Sequence, residues 1–199
     1  MLTLLLVALM AEAPEPPSIE QMKLDEVLSC AGDPTKCDAS DWDLARELAR
    51  RFGTKELSSH LKRASEAQRR VLVFALYASP SNPDVAKLMK KFSNDPDEEI
   101  AYYALNYRAK LCDQEALAKL VAPSYDARAS CQQWAVTVSL VGQCKYKPGG
   151  RFLVEHLDYA CLNIVLAAVE GLRALYPDAP ASFESPAQVK AYFEKRVGK

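Results

Sequence analysis

The residues of this chain best suited to chemistry are six cysteines, Cys30, Cys37, Cys112, Cys131, Cys144 and Cys161, and two histidines, His60 and His156. A cysteine can act as a thiolate nucleophile, bind a soft metal, or pair oxidatively with another cysteine. No two of the six stand in a C-x-x-C spacing, and two histidines add little to complete a tetrahedral zinc cluster, so no metal site is expected. A thiol–imidazole pair between Cys161 and His156, five residues apart in EHLDYAC, requires Cys161 to be a free thiol. His60, in SSHLKR, stands beside Ser58 and Ser59 on a short predicted helix, where a solvated polar face is the simpler reading. The acidic group Asp95, Asp97, Glu98 and Glu99 lacks the spacing of an EF-hand loop and suits the positive end of a helix. The seven glycines form no phosphate-cradling motif.

Oxidative pairing fits the remainder of the sequence, with small buried apolar thiols as the competing reading. Residues 2–10, LTLLLVALM, are an uncharged apolar run of signal-peptide length, and Ala11-Glu12-Ala13 resembles a small-x-small cleavage site. The run is too short to cross a bilayer. The expected organisation is a signal peptide over 1–13, a proline-bearing leader over 14–18 and one domain over 19–199, secreted or periplasmic. Basic residues are absent ahead of the apolar run, so a packed terminal helix is the competing reading. Cleavage after Ala13 removes one charge, Glu12, which leaves 25 of the 26 acidic residues against 25 basic ones. A neutral chain with no basic run offers no footprint for nucleic acid and no polybasic membrane patch.

The elements that must hold these cysteines are helices. The chain has 199 residues, 49% hydrophobic and 26% charged, enough for one core. Apolar residues recur at three- and four-residue spacing from residue 19 onward, with no convincing strand alternation. In NDPDEEIAYYALNYRAKL, residues 94–111, Asp95 can cap a helix with Pro96 at its first position and Glu98 reaching back. Ile100, Tyr103, Ala104, Tyr107 and Leu111 then fall on one stripe. Helix starts are also expected at Ser18, Ser40, Asn82-Pro83 and Ser185-Pro186. RRVLVFALYAS, residues 69–79, is apolar on nearly every face, which suits a helix enclosed by neighbours. The more apolar helices align on Ala75, Ala104, Ala135 and Ala167, at separations of 29, 31 and 32, each after a shorter helix. Helix pairs of this size bury their apolar faces only by stacking on one another.

The pattern D-P-D-E-E-I-A-Y-Y-A-L-N-Y-R-A-K-L followed by C-D-Q-E-A-L-A-K-L-V resembles the short bacterial HEAT-like repeat of the phycobilin-lyase type. The resemblance spans roughly residues 40–176, is clearest over 83–121, and extends to SPAQVKAYFEKR, which is similar to a terminal capping helix without the tryptophans often found there. It implies an all-α fold, a short right-handed α-solenoid of about four helix pairs with end caps. It also implies a non-catalytic adaptor of the cell envelope that needs no cofactor and binds a protein partner through its concave face. A cysteine-dependent enzyme or lyase-like subunit is the alternative class. In such arrays the second helix of each pair lines the concave side, and the repeat offsets direct Tyr77, Tyr102, Asn106, Gln133 and Thr137 towards the partner. The array also brings cysteines together. Cys112 and Cys144 fall at the same end of adjacent helices, and Cys131 and Cys161 at the opposite end of the next pair. Cys30 and Cys37 flank the turn Gly32-Asp33-Pro34.

Overall fold

The computed structural model describes residues 18–123 and 129–197, so the expected signal peptide and leader residues 14–17 lie outside the described residues. The described residues form twelve α-helices and no strand. In chain order these are α1 (Leu24–Ser29), α2 (Pro34–Cys37), α3 (Asp41–Arg51), α4 (Thr54–His60), α5 (Glu66–Ala78), α6 (Pro83–Phe92), α7 (Glu98–Ala109), α8 (Gln114–Leu120), α9 (Cys131–Gln143), α10 (Gly150–Glu155), α11 (Leu162–Leu175) and α12 (Pro186–Val197). The fold is all-α.

Local chemistry sets most of the starts. Ser40, Ser65 and Ser130 each accept the amide three residues on, and Asp43, Gln68 and Gln133 return the bond to the cap. Asn82 caps α6 with Pro83 at its first position, and α12 opens on Pro186. Two expected starts are displaced. The cap of α7 is Asp97, which accepts the amides of Glu99 and Ile100, while Asp95 accepts the amide of Asp97. A tertiary contact fixes that position, since Arg70 of α5 also binds Asp97. Ser18 starts no helix, because Arg51 takes the carbonyls of Ile19 and Met22 at 2.9 and 2.5 Å and holds this segment as a turn.

Two apolar clusters form the interior. The first gathers side chains from α1, α3, α4, α5 and α6 with Ile100, Tyr102, Tyr103, Ala104 and Tyr107 of α7. The second gathers α8 to α12 with Leu105 and Ala109 of the same helix. Helix α7 is therefore a wall shared by two cores, and all of residues 102–109 are buried. Its polar members are satisfied inside: Arg108, 1% exposed, donates to Asp113, Ser93 and Glu115 at 2.8, 3.0 and 3.1 Å. A hydrogen bond from Lys90 and then the Arg108 guanidinium hold the Glu115 carboxyl down to about 2.

Neighbouring long helices meet end to like end. Arg70 reaches Asp97 at the start of α7, and Lys110, just past its end, donates to the Tyr77 carbonyl in the last turn of α5 at 2.9 Å. Disulfides join Cys112 to Cys144, beyond the ends of α7 and α9, and Cys131 to Cys161, at the starts of α9 and α11. A third joins Cys30 to Cys37, and among the described residues no cysteine is free. Helices α9 and α11 touch through Gly142 and Gly171, where a Cβ added to Gly142 would stand 2.3 Å from the Gly171 Cα.

Candidate binding face

Three of the five residues expected to face a partner lie inside. Asn106 and Thr137 are fully buried and Tyr102 is 6% exposed. They bond to one another across α7 and α9. The Thr137 hydroxyl donates to Asn106 Oδ1 at 2.8 Å, Asn106 Nδ2 donates to the Tyr102 carbonyl at 3.0 Å, and the Tyr102 hydroxyl donates to the Gln133 carbonyl at 2.7 Å. Gln133 is half-buried, and its amide donates to the Tyr103 hydroxyl. Tyr77 is half-buried beneath Lys110, whose Nζ stands 3.6 Å from the ring centroid, and burial pushes its phenol up. The physical reason is the double role of α7: a helix shared by two cores has no face left for solvent along its middle.

The exposed face lies one residue away around α9. Its core side carries Trp134, Val138 and Val141, so the positions opposite are Gln132, Val136, Ser139 and Gln143. With Lys110, Ala135, Leu140 and Asn163 these line a groove of about 410 Å³ between α7, α9 and α11. Aligning the repeats on alanine put the phase of α9 about 100° out, because Ala135 lines the groove.

The groove mixes an apolar floor with polar walls. Ala135, Val136 and Leu140 supply the apolar lining, with Val136 39% exposed; outside it, on α11, Leu162 and Leu166 are 68% and 51% exposed, far more than most large apolar side chains among the described residues. Gln132, Gln143 and Asn163 can donate and accept along the walls. Among the described residues Lys110 is the only ionisable group lining it. Burial draws its ammonium below the ordinary lysine value, and no carboxylate among the described residues pairs with it.

No family model, curated protein or solved structure matches this chain.

The sites weighed for catalysis take ordinary structural forms. Cys161 is bridged, so the thiol–imidazole pair with His156 has no thiol. His156 itself lies between α9 and α10. Trp134 Nε1 donates to its Nε2 at 2.8 Å and its Nδ1 lies 2.7 Å from the Phe152 carbonyl. An indole nitrogen can only donate, so Nε2 is unprotonated and the neutral ring carries its proton on Nδ1. His60 has Ser59 Oγ at 3.2 Å and Asp25 at 3.4 Å, which superficially suggests a nucleophile–base–acid relay. The Ser59 hydroxyl, however, donates to the Glu56 carbonyl at 2.6 Å, and that carbonyl also lies 3.0 Å from His60 Nδ1. The imidazole nitrogen facing the serine therefore serves the helix backbone and not as its base. Among the described residues no group of three His, Cys, Asp or Glu side chains is placed to hold a metal.

Proposed function

We propose that this chain is an exported, disulfide-braced adaptor that binds a protein partner and performs no chemistry of its own. In this reading α4 to α11 are about four HEAT-like pairs of a right-handed α-solenoid, closed at its end by α12. Support comes from the like-end contacts of α5, α7, α9 and α11 and from three disulfides, which form and persist in oxidising compartments. Equivalent junctions follow α7 and α9. Cys112 and Lys145 adopt φ of 57° and 48°, and the next amides, of Asp113 and Tyr146, reach back to the Arg108 and Val141 carbonyls.

The single observation that carries the binding reading is the groove. Apolar lining from Ala135, Val136 and Leu140 beside three amide side chains and one partly desolvated cation, with Leu162 and Leu166 exposed on α11 on either side of Asn163 in sequence, has the make-up of an interface core with its rim. The partner it fits is a protein segment with aliphatic anchors for Val136 and Leu166 and a carboxylate opposite Lys110. Affinity capture from the native envelope with wild type, Val136→Asp, Leu166→Asp and Lys110→Gln tests this. The three variants should keep the wild-type helical spectrum and lose a protein that wild type retains. Recovery of the same proteins by all four would remove this reading, and a mature amino terminus other than one close after Ala13 would remove the export step.

A further inference from the structure

The groove between α7, α9 and α11 limits which carboxylate Lys110 can take, on the reading above that it holds a protein partner. Lys110 Nζ donates to the Tyr77 carbonyl at 2.9 Å and stands 3.6 Å from the centroid of the Tyr77 ring. Both contacts hold the ammonium back against α5, so an anion must come to it. An ammonium carries three N–H donors and the carbonyl takes one, which leaves donors for a second acceptor. Ala135, Val136 and Leu140 line the same space of about 410 Å³, and no carboxylate among the described residues lines it with them. Pro123 and Ala129, which flank residues 124–128, lie with Trp134 and His156 on the other side of α9.

We propose that this groove receives the C-terminal residue of its partner, an aliphatic residue whose α-carboxylate pairs with Lys110 and whose side chain packs on Val136. A carboxylate inside a segment belongs to Asp or Glu, and the nearest side chain on the same edge of an extended chain stands two residues away, about 7 Å along it. Such a segment must also carry its backbone out of the groove in both directions. A chain end carries carboxylate and side chain on one Cα and leaves in one direction. One cation beside an apolar wall, in a space towards the small end of ligand sites, is the complement of that group. The last peptide units still bring N–H and C=O groups that need partners on leaving water. Gln132, Ser139, Gln143 and Asn163 line the groove and can donate and accept for them. Capture of a chain terminus is a recurrent way of recognising a peptide, and here Lys110 supplies the charge for it.

The test follows the backbone amide of Val136 and the side-chain amides of Gln132, Gln143 and Asn163 in nitrogen–proton spectra of the full chain. The probes are N-acetyl-Ser-Ala-Ala-Leu as the free acid, the same peptide as its carboxamide, and N-acetyl-Ser-Asp-Ala-Leu carboxamide, whose carboxylate is on a side chain. The free acid should shift these signals saturably at millimolar concentration, and both carboxamides should bind about tenfold more weakly, the loss that goes with one charge-assisted hydrogen bond. Lys110→Met should bind the acid no better than the carboxamide and leave carboxamide binding unchanged. Should that variant fail to fold, the ratio of acid to carboxamide binding in wild type still decides. Equal binding of acid and carboxamide, or of the acid and the aspartyl peptide, overturns the proposal, as does the absence of any shift. The capture experiment above reads the groove without regard to chain ends. A partner lost by Val136→Asp while acid and carboxamide bind alike would therefore remove the chain end and keep the adaptor, whereas a partner retained by every variant would remove both.

Discussion

Among single side chains, His156 makes the sharpest demand on solution conditions. Burial draws its pKa below the ordinary imidazole value, against smaller upward pulls from the Phe152 carbonyl and Glu155. In the pH interval between the folded value and the unfolded value of about 6.5, the unfolded chain binds a proton that the folded chain rejects. Stability is therefore full above that interval and declines as pH falls through it. Thermal melts between about pH 7.5 and pH 5.5 should show this decline in wild type and a flatter profile in His156→Gln, which keeps an acceptor for Trp134 but does not titrate. Equal pH slopes in the two proteins would show that the ring's protonation is not coupled to folding. The carboxylates of Asp97 and Glu115, both held low, act in a more acidic range. Burial alone would raise Asp97, but Arg70 and two backbone amides outweigh it, so its contribution is lost only as pH falls below the usual carboxylate values.

The helices owe their beginnings to neighbours in sequence and their orientation to neighbours in space. Caps at Ser40, Asn82 and the Pro186 start of α12 were legible because each is closed within three or four residues. The faces of α7 and α9 were not, because burial there depends on which helices lie alongside. Tyr102 and Asn106 look like surface residues opposite a stripe of Ile100, Tyr103, Ala104 and Tyr107, yet α9 covers them through Thr137 and the Gln133 carbonyl. Leu111, counted in that stripe, is 37% exposed. The contact between α9 and α11 yields a direct prediction. Gly142→Ala should destabilise the protein by about 2–3 kcal/mol in urea unfolding, since the new methyl meets backbone that cannot rotate away. Gly53→Ala, with no atom within 4 Å of the new Cβ, should stay within about 0.5 kcal/mol and serves as the control. Equal effects of the two would mean that α9 and α11 separate without cost.

For the molecule as a whole, covalent links follow the order of packing. Cys112–Cys144 and Cys131–Cys161 span 32 and 30 residues and tie α7 to α9 and α9 to α11, whereas Cys30–Cys37 spans 7 within one turn region. Loop-closure entropy ranks their effects. Paired serine replacements at either long link should lower unfolding free energy by roughly 3–4 kcal/mol, and at the short link by roughly 2 kcal/mol. Urea titrations of the three double variants at one pH check the ranking. A chain whose short-link variant is the least stable would place the main constraint in the α1–α2 region instead. A continuous succession of ring contacts, Trp42 to Phe74, Tyr103, Tyr102, Trp134, Phe152, His156 and Tyr159, crosses from the first core to the second over α7. Such a succession couples the two halves through packing where the backbones of α7 and α9 stand farther apart.

What the sequence determined by itself was the helical class, several of the helix starts and the absence of metal-ligand or phosphate-loop spacings, because periodicity and capping act over a few residues. Tertiary structure alone decided that α7 has no free side, that the open face of α9 runs through Gln132, Val136, Ser139 and Gln143, and that His156 is a neutral ring bonded to Trp134. Each of these depends on residues distant in sequence meeting in space, as His156 and Trp134 do at 22 positions and Thr137 and Asn106 at 31, and a pattern read along one helix contains no term for the helices that cover it.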